Sequence, residues 1–138
     1  MRIKIGQKAS LSKTITEADV YNYAAVVEDF NGIHLNKEKA ENGIFKARVA
    51  HGMMVGSLIS AVLGTKLPGE GTIYLEQNLK FKAPVYFGDT VTAKVEVTHV
   101  LNEGKGIYRL ETIVVNQKNE CVIDGNAVVQ YNENMRGE

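Results

Sequence analysis

The sequence predicts an α+β domain in which one apolar helix is covered by a largely antiparallel sheet, and three observations carry that prediction. The run at 49–64, VAHGMMVGSLISAVLG, is apolar on nearly every face, so other segments must wrap it. It is too short to cross a bilayer, which takes roughly 20 apolar residues, and Ser57 and Ser60 interrupt it, so it reads as a buried core helix. Beyond Leu67-Pro68-Gly69 the chain turns to Val, Ile, Thr and Tyr in four segments, 72–81, 90–100, 106–116 and 121–131, and the last two links between them are short enough for hairpins.

The elements follow in chain order. Residues 2–15 alternate loosely, with Gly6 as punctuation, and read as one or two short extended segments. Thr16 and Asp19 have capping-box spacing, and Val20, Tyr23, Ala24 and Val27 recur at helical period, predicting a helix over 17–28. Asp29-Phe30-Asn31-Gly32 ends it, since Asn and Gly tolerate positive φ and Asx side chains bond their own turns. Ile33, His34 and Leu35 are expected in a loop. Asn36 caps a short helical turn over 37–41, and Asn42-Gly43 stops it. Residues 45–50 lead into the central helix, where Gly52 and Gly56, one turn apart, leave room for backbone or ligand. In the strand at 90–100, Val91, Ala93, Val95 and Val97 alternate with Thr92, Lys94, Glu96 and Thr98, so one face is buried against the helix and the other is wet. The tail at 132–138 is polar.

With 138 residues the chain reads as one domain, 1–138, large enough for a real core. Sixteen Lys plus Arg balance sixteen Asp plus Glu, which disfavours nucleic acid and anionic membranes as partners. The single Cys121 has no internal disulfide partner, and the start MRIKIGQK has no signal-peptide run, so the expected compartment is the cytoplasm.

Asp29 and His34 flank a turn after the first helix, off any regular apolar stripe. A carboxylate and an imidazole across such a turn can converge on one water, supplying a base and a proton donor. The plainer reading is a turn-capping Asp and a surface His. Against it stand the polar loop between two buried helices, the glycine-opened start of the central helix and Ser60 within an apolar element. Exposed N–H groups at that helix start carry partial positive charge, suited to an oxygen that becomes negative.

These residues resemble a known family. Asp29-Phe30-Asn31-Gly32-Ile33-His34-Leu35, with 45–50 running into His51-Gly52-Met53, is similar to the signature of the MaoC-like hot-dog hydratases. Gln77-Asn78-Leu79-Lys80-Phe81-Lys82-Ala83-Pro84-Val85 and Gly88-Asp89 extend the likeness over nearly the whole chain. The resemblance implies a hot-dog fold, a curved antiparallel sheet around a long helix, and a homodimer that can pair further. It implies reversible syn addition of water to a short- or medium-chain trans-2-enoyl-CoA, giving the (R)-3-hydroxyacyl thioester, in a pathway such as fatty-acid or polyhydroxyalkanoate metabolism. Asp29 matches the family's base, His34 its partner and the backbone N–H of Gly52 its oxyanion donor. Asn31 and His51 match residues that brace the loop, and Ser60 and Leu63 match residues bordering the acyl pocket. No metal is required, and no cofactor beyond the coenzyme A of the substrate. Ser60 also reads as a helix serine bonding its own i−4 carbonyl, and Leu63 as ordinary core. Two positions depart from the pattern of many relatives: Gly32 stands where Pro is common, and Arg48 precedes the Val-Ala-His-Gly run, where it meets either a coenzyme A phosphate or only solvent. Other readings compatible with the residues are a 3-hydroxyacyl-carrier-protein dehydratase, a hot-dog thioesterase and a non-catalytic acyl-CoA-binding subunit.

Overall fold

The computed structural model describes residues 3–132 and 134; Arg2 and the tail residues 133 and 135–138 lie outside the described residues. Five strands, β1 (Lys8–Thr14), β2 (Ile73–Phe81), β3 (Thr90–Asn102), β4 (Ile107–Val115) and β5 (Cys121–Gln130), form one sheet in the order β1-β3-β4-β5-β2. Every neighbouring pair is antiparallel. β3, β4 and β5 are joined by the two expected hairpins, whereas β2 crosses to the far side and pairs with β5, placing Asn78 opposite Asn126. Register shifts at Tyr74/Glu76, Val97/His99, Val100/Asn102 and Val114/Val115 add local twist, which lets so small a sheet curve.

The strand alternation works as read. Val91, Ala93, Val95 and Val97 are buried and join Leu110, Val114, Val122, Ala127 and Val129 in a core built against α4 (Gly52–Thr65). From the helix come Val55, Ile59, Val62 and Leu63, each at most 1% exposed. This sheet wrapped on a central helix is the hot-dog fold.

Upstream, α1 (Glu17–Val27) starts in a complete capping box: Asp19 N–H donates to Thr16 Oγ1 at 3.1 Å and Thr16 N–H to Asp19 Oδ2 at 2.9 Å. The bond from the Thr16 backbone, against an opposing effect of burial and helped by the Thr16 hydroxyl and Lys13, holds the Asp19 carboxyl below its ordinary range. The helix ends at Glu28, whose φ of 62° turns the chain toward Asp29. α3 (Lys37–Glu41) is capped by Asn36 as expected.

Three expectations are corrected. Ile33, His34 and Leu35 are not a loop but belong to a helical turn, α2 (Gly32–Leu35), which Asn31 caps by accepting from Ile33 N–H at 3.2 Å. The central helix starts at Gly52 rather than 49: Val49 is extended and bridges Tyr86, and Ala50 N–H donates to Val85 O at 2.8 Å, so 48–51 is a strap crossing toward the helix. Its apolar composition hid that boundary, because strap and helix are equally buried. The helix is also not buried all round, for Met53, Ser57 and Ser60 face outward. Of the one or two extended segments expected before α1, the described residues form one, β1.

Candidate active site

The chain folds α1, α2, the strap and the start of α4 around one cavity of about 520 Å³, within the usual range for small-molecule sites. Asp29 and His34 both line it. Asp29 reaches it because the left-handed Glu28 redirects the backbone after α1, and its Oδ1 accepts from Asn31 N–H at 3.2 Å. Asn31 therefore braces the turn at both ends, taking Asp29 with its N–H and Ile33 with its side chain. His34 is placed by α2, is 7% exposed, and donates from Nδ1 to Val49 O at 2.6 Å. That bond fixes the neutral ring with its proton on Nδ1 and leaves Nε2 as an acceptor. Burial pushes the His34 pKa below its ordinary value; the Val49 carbonyl and Asp29 pull it up, and the neighbouring His51 adds to the lowering.

His51 is the N-cap of α4 yet makes no side-chain cap bond. Its ring turns inward, 2% exposed, and Nε2 donates to the backbone O of Asp29 at 3.0 Å. It stacks on His34 at 3.8 Å between centroids and tilts against Tyr23 at 4.9 Å. Its Nδ1 is buried without a hydrogen-bond partner.

Because the cap side chain is used elsewhere, the helix start stays open. The His51 carbonyl takes the N–H groups of Met54 and Val55, while that of Gly52 makes no hydrogen bond among the described residues and lies at the cavity. Glycine lets the Phe81 ring pack onto this turn: a Cβ on residue 52 would lie 2.7 Å from it, so the ring would have to move. One turn on, a Cβ at Gly56 would touch Leu79 at 3.0 Å, so β2 lies across the bare side of the helix.

Ser60 and Leu63 do not line this cavity in the single chain. Ser60 is exposed on a shallow groove between α4 and β2, with Gly56, Tyr74 and Leu79, which meets the cavity at Met53. Leu63 is 1% exposed in the core. Arg48 is not a loose surface charge: it donates to Glu17 at 2.7 Å and to Tyr21 at 2.6 Å and lies over Phe87. Sequence reading missed the Val49 carbonyl, which carries no side-chain signature, and the wall formed by Tyr23, Phe45 and Phe81. The glycine at 52 was the available hint to Phe81.

Donor atoms of Asp29, His34 and His51 lie within 4.8 Å of one another. As a metal-ligand set they are poorly disposed. The two rings are stacked at 27°, so their in-plane lone pairs run side by side, and one nitrogen of each is already bound to a carbonyl.

A carboxylate, an acceptor imidazole and an open helix start thus meet at one apolar-walled cavity of a hot-dog domain, an arrangement with the parts that acid–base chemistry beside an oxyanion uses. The chain belongs to the MaoC like domain family, whose model matches residues 2–121. It is 52% identical over 127 residues to an (R)-specific enoyl-CoA hydratase of Rhodospirillum rubrum, covering 92% of this chain and 87% of that one. It is 47% identical over 128 residues to the enzyme of the same name from Aeromonas caviae, covering 93% and 95%. Among solved structures, the (R)-hydratase from A. caviae involved in PHA biosynthesis superposes with a TM-score of 0.90 at 46% identity, over 94% of this chain and 98% of that one.

Proposed function

We propose that this chain is an (R)-specific enoyl-CoA hydratase, a hydro-lyase that reversibly adds water to short- or medium-chain trans-2-enoyl-CoA. The observation that carries the reading is the meeting of Asp29, His34 and the free Gly52 N–H at one cavity, in a chain about half identical to enzymes of that name.

Water sits between Asp29 and Nε2 of His34 and attacks C3 as the pair takes its proton. Negative charge moves to the thioester oxygen, where Gly52 N–H and the α4 dipole receive it. C2 then takes a proton from the same pair. One O–H and one C=C π bond are replaced by C–O and C–H bonds. No electrons leave the substrate, so the reaction needs no redox cofactor, and Gly52 N–H with the α4 dipole takes the charge that a Lewis acid would otherwise hold. Delivering hydroxyl and proton from one group of residues places them on one face, which is syn addition. Asn31 and His51 hold the pair in place, and the acyl chain runs past Met53 along the groove to Ser60, with Leu63 beneath it. The single free thiol of Cys121 suits the cytoplasm; among the described residues no helix is long and apolar enough to cross a membrane.

Two copies pair through β2. It is an edge strand carrying exposed Ile73, Tyr74, Leu75 and Phe81, a combination that calls for a partner. A monomer by light scattering at micromolar concentration counts against the pairing. For the activity, the decisive assay mixes the protein with crotonyl-CoA, follows loss of enoyl absorbance and determines the product's configuration. (R)-3-Hydroxybutyryl-CoA supports the reading. Free coenzyme A released from a saturated acyl-CoA would make the enzyme a thioesterase instead, and a strong preference for carrier-protein thioesters in competition would move the substrate class.

A further inference from the structure

We infer that Arg48 is a positioning residue, which sets the separation of Asp29 and His34 by latching the strap at 48–51 to α1, and that it is not a ligand for the substrate's phosphates. The inference rests on the reading of Asp29 and His34 as the reacting pair.

The strap touches the machinery at three of its four residues. The Val49 carbonyl holds His34, His51 holds the backbone of Asp29, and Arg48 holds the first half of α1, whose other end leads into Asp29. His34 thus depends on the strap directly, and Asp29 depends both on the strap's His51 and on how α1 lies relative to the strap. Arg48 Nη2 donates to Glu17 Oε2 at 2.7 Å and Nη1 to the Tyr21 hydroxyl at 2.6 Å, two partners one turn apart on the same face of α1. Its guanidinium carbon lies 4.8 Å from the centroid of the Phe87 ring, which covers one face of the planar group. The side chain is only 17% exposed, so this is a seated fork rather than a mobile surface charge. Seated there, it is a poor phosphate ligand, because the Glu17 carboxylate already neutralises it and would repel an incoming anion. A latch of this kind acts on geometry, and small misplacement of reacting groups is costly in rate.

The test is a set of variants of the full chain assayed on crotonyl-CoA at a temperature where each is folded by circular dichroism. Arg48→Met is expected to lower kcat by about tenfold while KM stays within about twofold. Glu17→Gln, at a half-exposed position that does not line the cavity, is expected to lower kcat in the same way and to keep the assay informative should Arg48→Met fail to fold. The double variant should be no worse than Arg48→Met alone, and Arg48→Lys should recover part of the loss through the one contact an ammonium can make. A raised KM with unchanged kcat in Arg48→Met, beside a normal Glu17→Gln, would assign Arg48 to the substrate and overturn the inference. So would unchanged kcat in all the variants. A fully active Asp29→Asn overturns the reading of the pair instead, and the coupling between Arg48 and Glu17 is measured independently of it.

Discussion

The imidazoles of His34 and His51 lie stacked with centroids 3.8 Å apart, and the outer nitrogen of each is tied to a different carbonyl, His34 to Val49 and His51 to Asp29. The stack therefore joins the end of α1 to α2 through the strap. It also buries His34 beside another ring rather than beside water, so its free nitrogen meets the cavity as an acceptor.

This sets the pH dependence. Burial, helped by His51, holds the His34 pKa below the ordinary 6.5. A lowered imidazole value means that the folded protein resists a proton the unfolded chain accepts. The associated stability is fully present above pH 6.5 and is lost as the pH falls through the lower folded value. Activity that needs Nε2 as an acceptor should fall on the same side. The acid limb of kcat/KM is expected to have its midpoint below 6.5, whereas activity that instead falls as the pH rises through this region would show that His34 works as the imidazolium.

Gly52→Ala tests the close approach of Phe81 to the helix start. Its Cβ would lie 2.7 Å from Phe81 Cδ1, but Phe81 is 53% exposed and can swing away. The melting temperature should therefore change little, while the displaced ring disturbs the cavity wall and hydration slows by about tenfold or more. Alanine keeps the backbone N–H, so normal turnover in Gly52→Ala would show only that the Phe81 wall does not bear on the reacting part of the substrate.

Much of this was legible in sequence because the physics is local. The apolar run at 49–64 had to supply core, though Met53, Ser57 and Ser60 turn out to face outward; the alternation from Val91 to Val97 could only be a half-buried strand, and Thr16 with Asp19 could cap a helix without help from the rest of the chain. Asp29 and His34 were visible because two ionisable residues flanked a turn. The misses have physical causes too. α2 spans four residues, too few for a helical period to register. Val49 and Ala50 are as apolar as the helix that follows, so pattern could not separate strap from helix. The bond that orients His34 ends on a main-chain oxygen, and the β2–β5 pairing joins segments far apart in the chain.

Ser60 and Leu63 should respond differently to substitution, although both were read as pocket residues. Leu63→Ala empties a fully buried site and is expected to cost about 2–5 kcal/mol, seen as a large drop in melting temperature. Ser60→Leu, on the exposed groove, should leave stability within about 0.5 kcal/mol. If the acyl chain follows the groove past Met53, the added bulk lowers the ratio of octenoyl-CoA to crotonyl-CoA hydration several-fold. An unchanged ratio puts the chain elsewhere.

The pair itself is tested by removing its members singly and together. Asp29→Asn keeps the oxygen that accepts from Asn31 N–H, so the turn should survive while the base is lost, and crotonyl-CoA hydration should fall by roughly two or more powers of ten. His34→Gln removes the acceptor nitrogen and should fall by a similar factor. It also breaks the bond to Val49 and the stack on His51, so a thermal melt must accompany it. Two groups that handle one water act as a unit, and once either is gone the other has little left to contribute. The double variant is therefore expected to be scarcely slower than the worse single variant. Losses that multiply would mean that Asp29 and His34 serve separate steps, one at C3 and the other at C2. Near-normal hydration by a folded Asp29→Asn would leave the cavity as a binding site, with the chemistry to be sought elsewhere.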